Sequence, residues 1–345
     1  MHDRNRQSMT DAEEVIRRNS GDARAYYVRG LSYLNIGQPE RAIPDFDNAI
    51  RLNPYDSNAY FYRSTAYRDL EQYEQALADI EAAILLRPDD AKGYLERGIA
   101  HEGRKQYEQA VADYTEAIRR NPSYAEAYFN RGLVHCTFKR GEWALADFDA
   151  AIRLKPYYVD AYRARGNIHV QQQHYDRAIA DFTKAIRAHP NGMAAYQDRG
   201  IAYSHIKDYA RAIIDFTEAI RLAPSFAEAY HSRSYAYYHL GKHEQSIADL
   251  TEAVRLKPED AMLYCDRGII YRDFAQYERA IIDFTEAIRL APDLAYAYQN
   301  RGYVHSRLGA YEQAIADYDT VIRLNPDNEA VQKSLDIARR AMRKG

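Results

Sequence analysis

Along most of the chain, small and apolar residues fall at spacings of three and four, and the same order returns 34 residues later. Pro54, Pro88, Pro122, Pro156, Pro190, Pro224, Pro258, Pro292 and Pro326 mark the period, each 34 residues from the next. With this proline counted as position 32, the units run 23–56, 57–90, 91–124, 125–158, 159–192, 193–226, 227–260, 261–294 and 295–328, with no linker between them. Within a unit the small or apolar positions are 3, 4, 8, 10, 11 and 14, then 20, 21, 24, 27 and 28. That spacing predicts two amphipathic helices. A turn near positions 15 to 17 joins them, and the proline ends the second by removing a donor and crowding the preceding turn. Position 8 is glycine except at Ser64 and Ser234, and position 20 is alanine except at Ser246. Helices without bulk at these places can approach closely, so they mark the expected crossing inside each hairpin.

The flanks follow the same register. Residues 8–20 align with the second half of a unit, with Asp11 on position 23 and Ile16 on position 28. Residues 329–343 continue as one more amphipathic helix, which is expected to screen the last hairpin. The expected organisation is therefore a tail and half-repeat helix over 1–22, nine repeats over 23–328 and a capping helix over 329–345. Pro39 and Pro44 crowd the second helix of the first unit, and Pro44 is expected to kink or fray it.

With Tyr at position 4, Gly at 8, Ala at 20, Phe or Tyr often at 24, Ala at 27 and Pro at 32, residues 23–328 resemble the tetratricopeptide repeat family. The resemblance implies an all-α fold, a right-handed α-solenoid of nine helix-turn-helix repeats with a half-repeat cap before them and a capping helix after. It also implies that the first helices line a concave groove holding a peptide or helix of another protein.

The family pattern tends to be apolar at positions 7 and 23, and this chain departs from it at both. Position 7 is Arg29, Arg63, Arg97, Arg131, Arg165, Arg199, Arg233, Arg267 and Arg301; position 23 is Asp45, Asp79, Asp113, Asp147, Asp181, Asp215, Asp249, Asp283 and Asp317. An arginine cannot shed its proton, so one that is partly buried needs a carboxylate, best in a bidentate pair. We expect one structural ion pair per repeat, and the spacing leaves open whether it forms within or between repeats. Anion binding by the arginines is the competing reading, weakened because every arginine comes with an aspartate.

Positions 2, 5, 6, 9, 12 and 13 of each first helix face away from its buried stripes, and in the family they line the groove. The first four units place Tyr27, Leu31, Leu34, Phe61, Leu95, Ile99, Phe129, Leu133 and Cys136 there, with Asn130 at position 6. A continuous apolar track suggests a docking surface; burial of neighbouring first helices against each other would also explain it. The fifth and sixth units offer Arg163, Asn167, Gln197, Asp198 and His205. Arg163 and Asn167 resemble one arm of the carboxylate clamp of some family members, but Asp198 and Ser232 stand where the other arm needs an asparagine and a cation. The asparagine ladder of glycan-transferring relatives is absent, with only Asn130 and Asn300 at position 6. The seventh unit sets His231, Tyr235 and Tyr238 at i, i+4 and i+7, good spacing for aromatic anchors and poor for a metal, because tyrosine is a weak zinc ligand. His101, His135, His169 and His305 replace tyrosine at position 11, where packing accounts for them. Trp143, in the unit with Gly141 at position 17, is expected to fill the vacancy or to mark a convex contact.

Composition narrows the function. The 345 residues carry 47 basic against 50 acidic side chains, net −3, which offers no footprint for a nucleic-acid backbone. No apolar run is long enough to span a membrane, and the first fifteen residues lack the apolar core of a secretory signal. We therefore expect a cytoplasmic protein in which Cys136 and Cys265 are reduced. No phosphate loop, dinucleotide turn, HExxH or CxxC occurs, so neither catalysis nor a cofactor or metal is expected. The leading expectation is a protein-interaction scaffold with a protein or peptide partner in its groove; the alternative is a structural solenoid that forms a homo-oligomer through its terminal repeats.

Overall fold

A computed structural model describes residues 2–343, which form twenty α-helices and, among the described residues, no strand. The chain packs as two compact units, Met1–Ile168 and His169–Gly345. The first holds α1 (His2–Arg18), α2 (Ala23–Asn35), α3 (Pro39–Leu52), α4 (Ser57–Asp69), α5 (Tyr73–Leu86), α6 (Ala91–Gly103), α7 (Tyr107–Arg120), α8 (Ala125–Thr137), α9 (Gly141–Leu154) and most of α10 (Val159–Gln171). The second holds the end of α10, then α11 (Tyr175–Ala188), α12 (Met193–His205), α13 (Tyr209–Leu222), α14 (Ala227–His239), α15 (His243–Leu256), α16 (Ala261–Asp273), α17 (Tyr277–Leu290), α18 (Ala295–Arg307), α19 (Tyr311–Leu324) and α20 (Glu329–Met342). In each unit consecutive helices pack as antiparallel hairpins, and each hairpin stacks on the next. Among the described residues no helix is long and apolar enough to cross a membrane.

Each hairpin turns at position 15, which adopts positive φ of 54° to 75° throughout, from Gly37 to Gly309. The left-handed residue lets the next amide reach back five residues, as Gln38 N–H does to Tyr33 C=O at 3.0 Å, closing the helix end. Only Gly37, Gly241 and Gly309 are glycines there; Glu71, Lys105, Lys139, Gln173, Lys207 and Ala275 take the conformation at a cost.

The crossing inside each hairpin lies where position 8 meets position 24. A Cβ on Gly98 would sit 2.5 Å from the Tyr114 ring, and one on Gly200 would sit 2.6 Å from the Phe216 ring. Where position 24 is aliphatic, at Ile80 and Leu250, position 8 has room for a hydroxymethyl, and Ser64 and Ser234 stand there, both buried. The rings of Phe46, Tyr114 and Phe148 in the first unit, and of Phe216 and Phe284 in the second, are essentially inaccessible to solvent. Each such burial is worth roughly 1.5–3 kcal/mol.

The arginines and aspartates cement the layers. Eight of the arginines bind the aspartate of their own hairpin, sixteen residues on, through Nη2 at 2.6–2.8 Å with Nε as a second donor. The carboxylates are 4–9 % exposed and the guanidinium side chains 15–26 %. Among the described residues, seven of the arginines also reach position 25 of the preceding second helix through Nη1. In the first unit Arg63 donates to Asp47 at 2.6 Å, Arg131 to Thr115 at 3.0 Å and Arg165 to Asp149 at 2.5 Å. In the second, Arg199, Arg233, Arg267 and Arg301 donate to Thr183, Thr217, Thr251 and Thr285 at 3.0–3.2 Å. One guanidinium thus ties three helices: two bonds hold its own hairpin and the third binds the layer before it. The tyrosine of position 4 lies against the same guanidinium, as Tyr230 does at 5.7 Å from Arg233.

Two local expectations need correction. Helix α3 runs unbroken through Pro44, with Pro39 at its first turn. The single lost donor is outweighed by the buried face of Ala42, Asp45, Phe46 and Ala49. Trp143 does not fill a vacancy: it is 67 % exposed, with its ring 5.8 Å from that of His135. At the end of the second unit, α20 buries Val331, Leu335 and Ala338 against α19 and leaves Ile337 63 % exposed.

Candidate binding groove

The groove positions behave differently in the two units. In the first, Tyr27 and Leu31 on α2, Phe61 on α4, Leu95 and Ile99 on α6, and Phe129, Asn130 and Leu133 on α8 are all half-buried. Tyr27 packs on Phe46 and Tyr62 with ring centroids 6.2 and 5.9 Å away, and burial pushes its hydroxyl up to about 12. Phe129 lies 4.9 Å from Tyr158 and 5.8 Å from Phe148. Leu95 and Ile99 lean on the Tyr114 cluster, and Leu133 on that of Phe148. These side chains serve largely to join neighbouring layers. Arg163 is half-buried and Asn167 exposed on α10. A charged pair also crosses this face: Arg68 of α4 reaches the buried Glu96 of α6 at 2.7 Å.

In the second unit the same positions open into two clefts on either side of α14. The larger, of about 270 Å³, is lined by Ile201, Ser204 and His205 of α12, Phe216 of α13, and His231, Ser232 and Tyr235 of α14. The smaller, of about 150 Å³, is lined by His231, Ser234, Tyr235 and Tyr238 of α14, Leu250 of α15, and Asp266, Ile269 and Ile270 of α16. His231 and Tyr235 form the wall common to both. Tyr235 is 52 % exposed and braced from beneath by the ring of His239 at 4.3 Å, which itself stacks on Tyr209 at 4.9 Å.

The polar groups around the clefts are held across the helices. His231 Nε2 lies 2.8 Å from Asp266 Oδ2, and this bond holds the imidazole above its usual pKa despite partial desolvation. The Tyr238 hydroxyl donates to Asp273 at 2.7 Å, which raises its pKa, and Gln197 Nε2 donates to Ser232 Oγ at 2.8 Å. Such cross-links fix the walls before anything binds. The arrangement can bury apolar side chains and orient them with a few polar groups. Among the described residues, no group of three or more His, Cys, Asp or Glu side chains is placed to hold a metal ion.

Of the residues singled out from the sequence, His205, His231, Ser232, Tyr235 and Tyr238 come together at these clefts, while the apolar residues of the first four units are half-buried. Ile201, Ile269 and Asp266 were missed. The signal was available, because Ile201, Tyr235, Ile269, Tyr303 and Ile337 form one row at position 9, and the last two turn outward as well.

Comparison with known proteins agrees with this geometry. Tetratricopeptide repeat models match residues 23–56 and 295–328, 46–78, 95–159 and 163–225, and 262–294, and a TPR repeat model matches 234–273. Among solved structures, Pseudomonas aeruginosa pilF is similar over 64 % of this chain and 96 % of its own, at 17 % identity and a TM-score of 0.54. The Cut9-Hcn1 hetero-tetramer of the APC/C is similar over 92 % of this chain and 76 % of the matched chain, at 14 % identity and a TM-score of 0.53. A tetratricopeptide repeat protein from Parabacteroides merdae is similar over 72 % and 98 %, at 21 % identity and a TM-score of 0.52. Identities this low speak for the fold alone, and no curated protein matches the sequence. Periodic hairpins with small residues at their crossings, and repeat models matched across most of the sequence, identify the chain as a member of the tetratricopeptide repeat family.

Proposed function

We propose that the chain is a non-enzymatic scaffold that binds a peptide or helix of a partner protein in the concave groove of its first helices, within the cytoplasm. The observation that carries this reading is the pair of clefts beside α14, lined by apolar and polar side chains together and sharing a wall in Tyr235, which the ring of His239 braces. Rigid aromatics of this kind bury area with little loss of entropy and make good anchors. The free thiols of Cys136 and Cys265 suit a reducing compartment.

The test is a pull-down from native cell extract with the parent and Tyr235→Glu side by side. Tyr235 is half out of the packing, so the substitution leaves the hairpin intact and places a charge between the clefts. Loss of specific co-purifying proteins supports groove recognition; an unchanged set refutes it. A second reading, self-association through the terminal repeats, is favoured by the exposure of Ile337 and Met342 on α20. Light scattering decides it, since a monomer at every concentration excludes it.

A further inference from the structure

We propose that the face shared by α18 and α20 docks an acidic peptide segment that carries a large apolar side chain among its carboxylates. The inference rests on the groove reading above and deepens it by giving one stretch of the groove an occupant of stated chemistry.

The apolar part of the face comes from one row. Helix α20 keeps the register of a first helix, with Glu329 at position 1, so Ile337 falls on position 9 beside Tyr303 of the touching α18. The two are 63 % and 45 % exposed, and Tyr296, at position 2 of α18, is exposed as well. Val331, Leu335 and Ala338 seat α20 on α19, and Ile337 lies outside that contact. Exposed apolar side chains that adjoin across neighbouring helices mark a contact surface, whereas scattered single ones do not.

Charge sets the partner. Lys333, Ile337 and Arg340 stand at i, i+4 and i+7, a stripe with a cation on each side of the apolar residue. Along the helix axis the two cations are about 10 Å apart. Arg307, at position 13 of α18, adds a third. All three are exposed and, among the described residues, make no ion pair or side-chain hydrogen bond.

Elsewhere in the groove of the second unit, charged groups answer one another. His231 holds Asp266, Arg272 and Tyr238 hold Asp273, and Lys257 holds Glu228. The groove positions of α18 and α20 contain no carboxylate at all. Asp336, at position 8, lies on the side of α20 that in the other units meets a second helix. Unanswered positive charge around an exposed apolar row attracts carboxylates and repels Lys and Arg, while Tyr303 and Ile337 supply the anchoring area.

The experiment pans a random peptide library against the full chain and measures the enriched sequences as synthetic peptides by fluorescence anisotropy. We expect sequences rich in Glu and Asp around a large apolar residue, and a loss of at least about tenfold in affinity when Lys333→Glu and Arg340→Glu are combined. The same charge change at two exposed positions of α11, Lys184→Glu with Arg187→Glu, should leave affinity unchanged. Ile337→Gln, which alters no charge, should weaken binding by at least about threefold. Thermal unfolding verifies that each variant folds. No enrichment, basic or uncharged motifs, an equal loss for the α11 pair, or affinity unaffected by the α20 substitutions overturns the inference. Self-association of the parent that Ile337→Gln abolishes gives the face to a second copy and overturns it too. Peptides that respond to Tyr235→Glu but to no α20 substitution overturn it while leaving the wider groove reading in place.

Discussion

Replacing Arg233 by leucine removes the guanidinium from Asp249, whose side chain is only 8 % exposed, and deletes bonds of 2.8 and 2.7 Å to that carboxylate and of 3.0 Å to Thr217. The carboxylate is left buried with no cation. Breaking a buried pair this way costs about 3–5 kcal/mol, whereas replacing both partners by apolar groups is often near neutral. Arg233 is itself 16 % exposed, so water relieves part of the loss and we expect about 3 kcal/mol for Arg233→Leu. Asp249→Leu leaves the more exposed partner unpaired and should cost less. The double variant should lie within about 1 kcal/mol of the parent, giving a coupling of about 2 kcal/mol or more between the sites. Urea unfolding followed by circular dichroism reads these differences, with the slope compared across variants because repeat arrays depart from two-state behaviour. An arginine variant within about 0.5 kcal/mol of the parent, or a double variant as unstable as the two singles summed, would refute the reasoning.

Three further outcomes follow from single positions. Gly200→Ala places a methyl group 2.6 Å from the Phe216 ring and should destabilise by about 1–3 kcal/mol; with Phe216→Leu it should cost clearly less than the sum, because Ser234 already coexists with Leu250. Ala275→Gly relieves a left-handed residue with φ of 54°, and after the entropy cost of glycine it should stabilise by about 0.5–1 kcal/mol in thermal or urea unfolding. Burial holds the His135 pKa below 6.5, so the unfolded chain takes its proton first and stability falls as pH drops below about 6.5. His135→Tyr, the residue found at Tyr203 and Tyr237, should flatten that acid limb in melting temperature against pH. His231 is shifted the other way, which is why the difference between variant and parent is the quantity to read.

The hairpins were legible because a small residue at position 8 and a proline at position 32 recur in all nine copies and a ring stands at position 24 in seven of them, each with one physical use. The partner of each arginine was not, because the side chain is long enough to reach either layer. It uses this reach, gripping Asp249 with two nitrogens and Thr217 with the third in the case of Arg233. The exposure of the apolar groove positions was not legible for a related reason. A helix wheel says that Phe61 or Phe129 leaves its own hairpin core, but whether it then meets water depends on the adjacent layer. Phe61 packs against the cluster that includes Tyr94 of α6, and Tyr158 lies against Phe129, whereas Tyr235 stands between the smaller Ile201 and Ile269 and keeps its cleft open on both sides.

The most direct test of the account places a photoreactive phenylalanine analogue at Tyr235, between the clefts, and in a separate protein at Ile214 on α13, which is 67 % exposed outside them. Irradiation in cells should cross-link a discrete partner through position 235 and leave position 214 without it. The same partner captured through 214 and missed at 235 would contradict recognition in the groove.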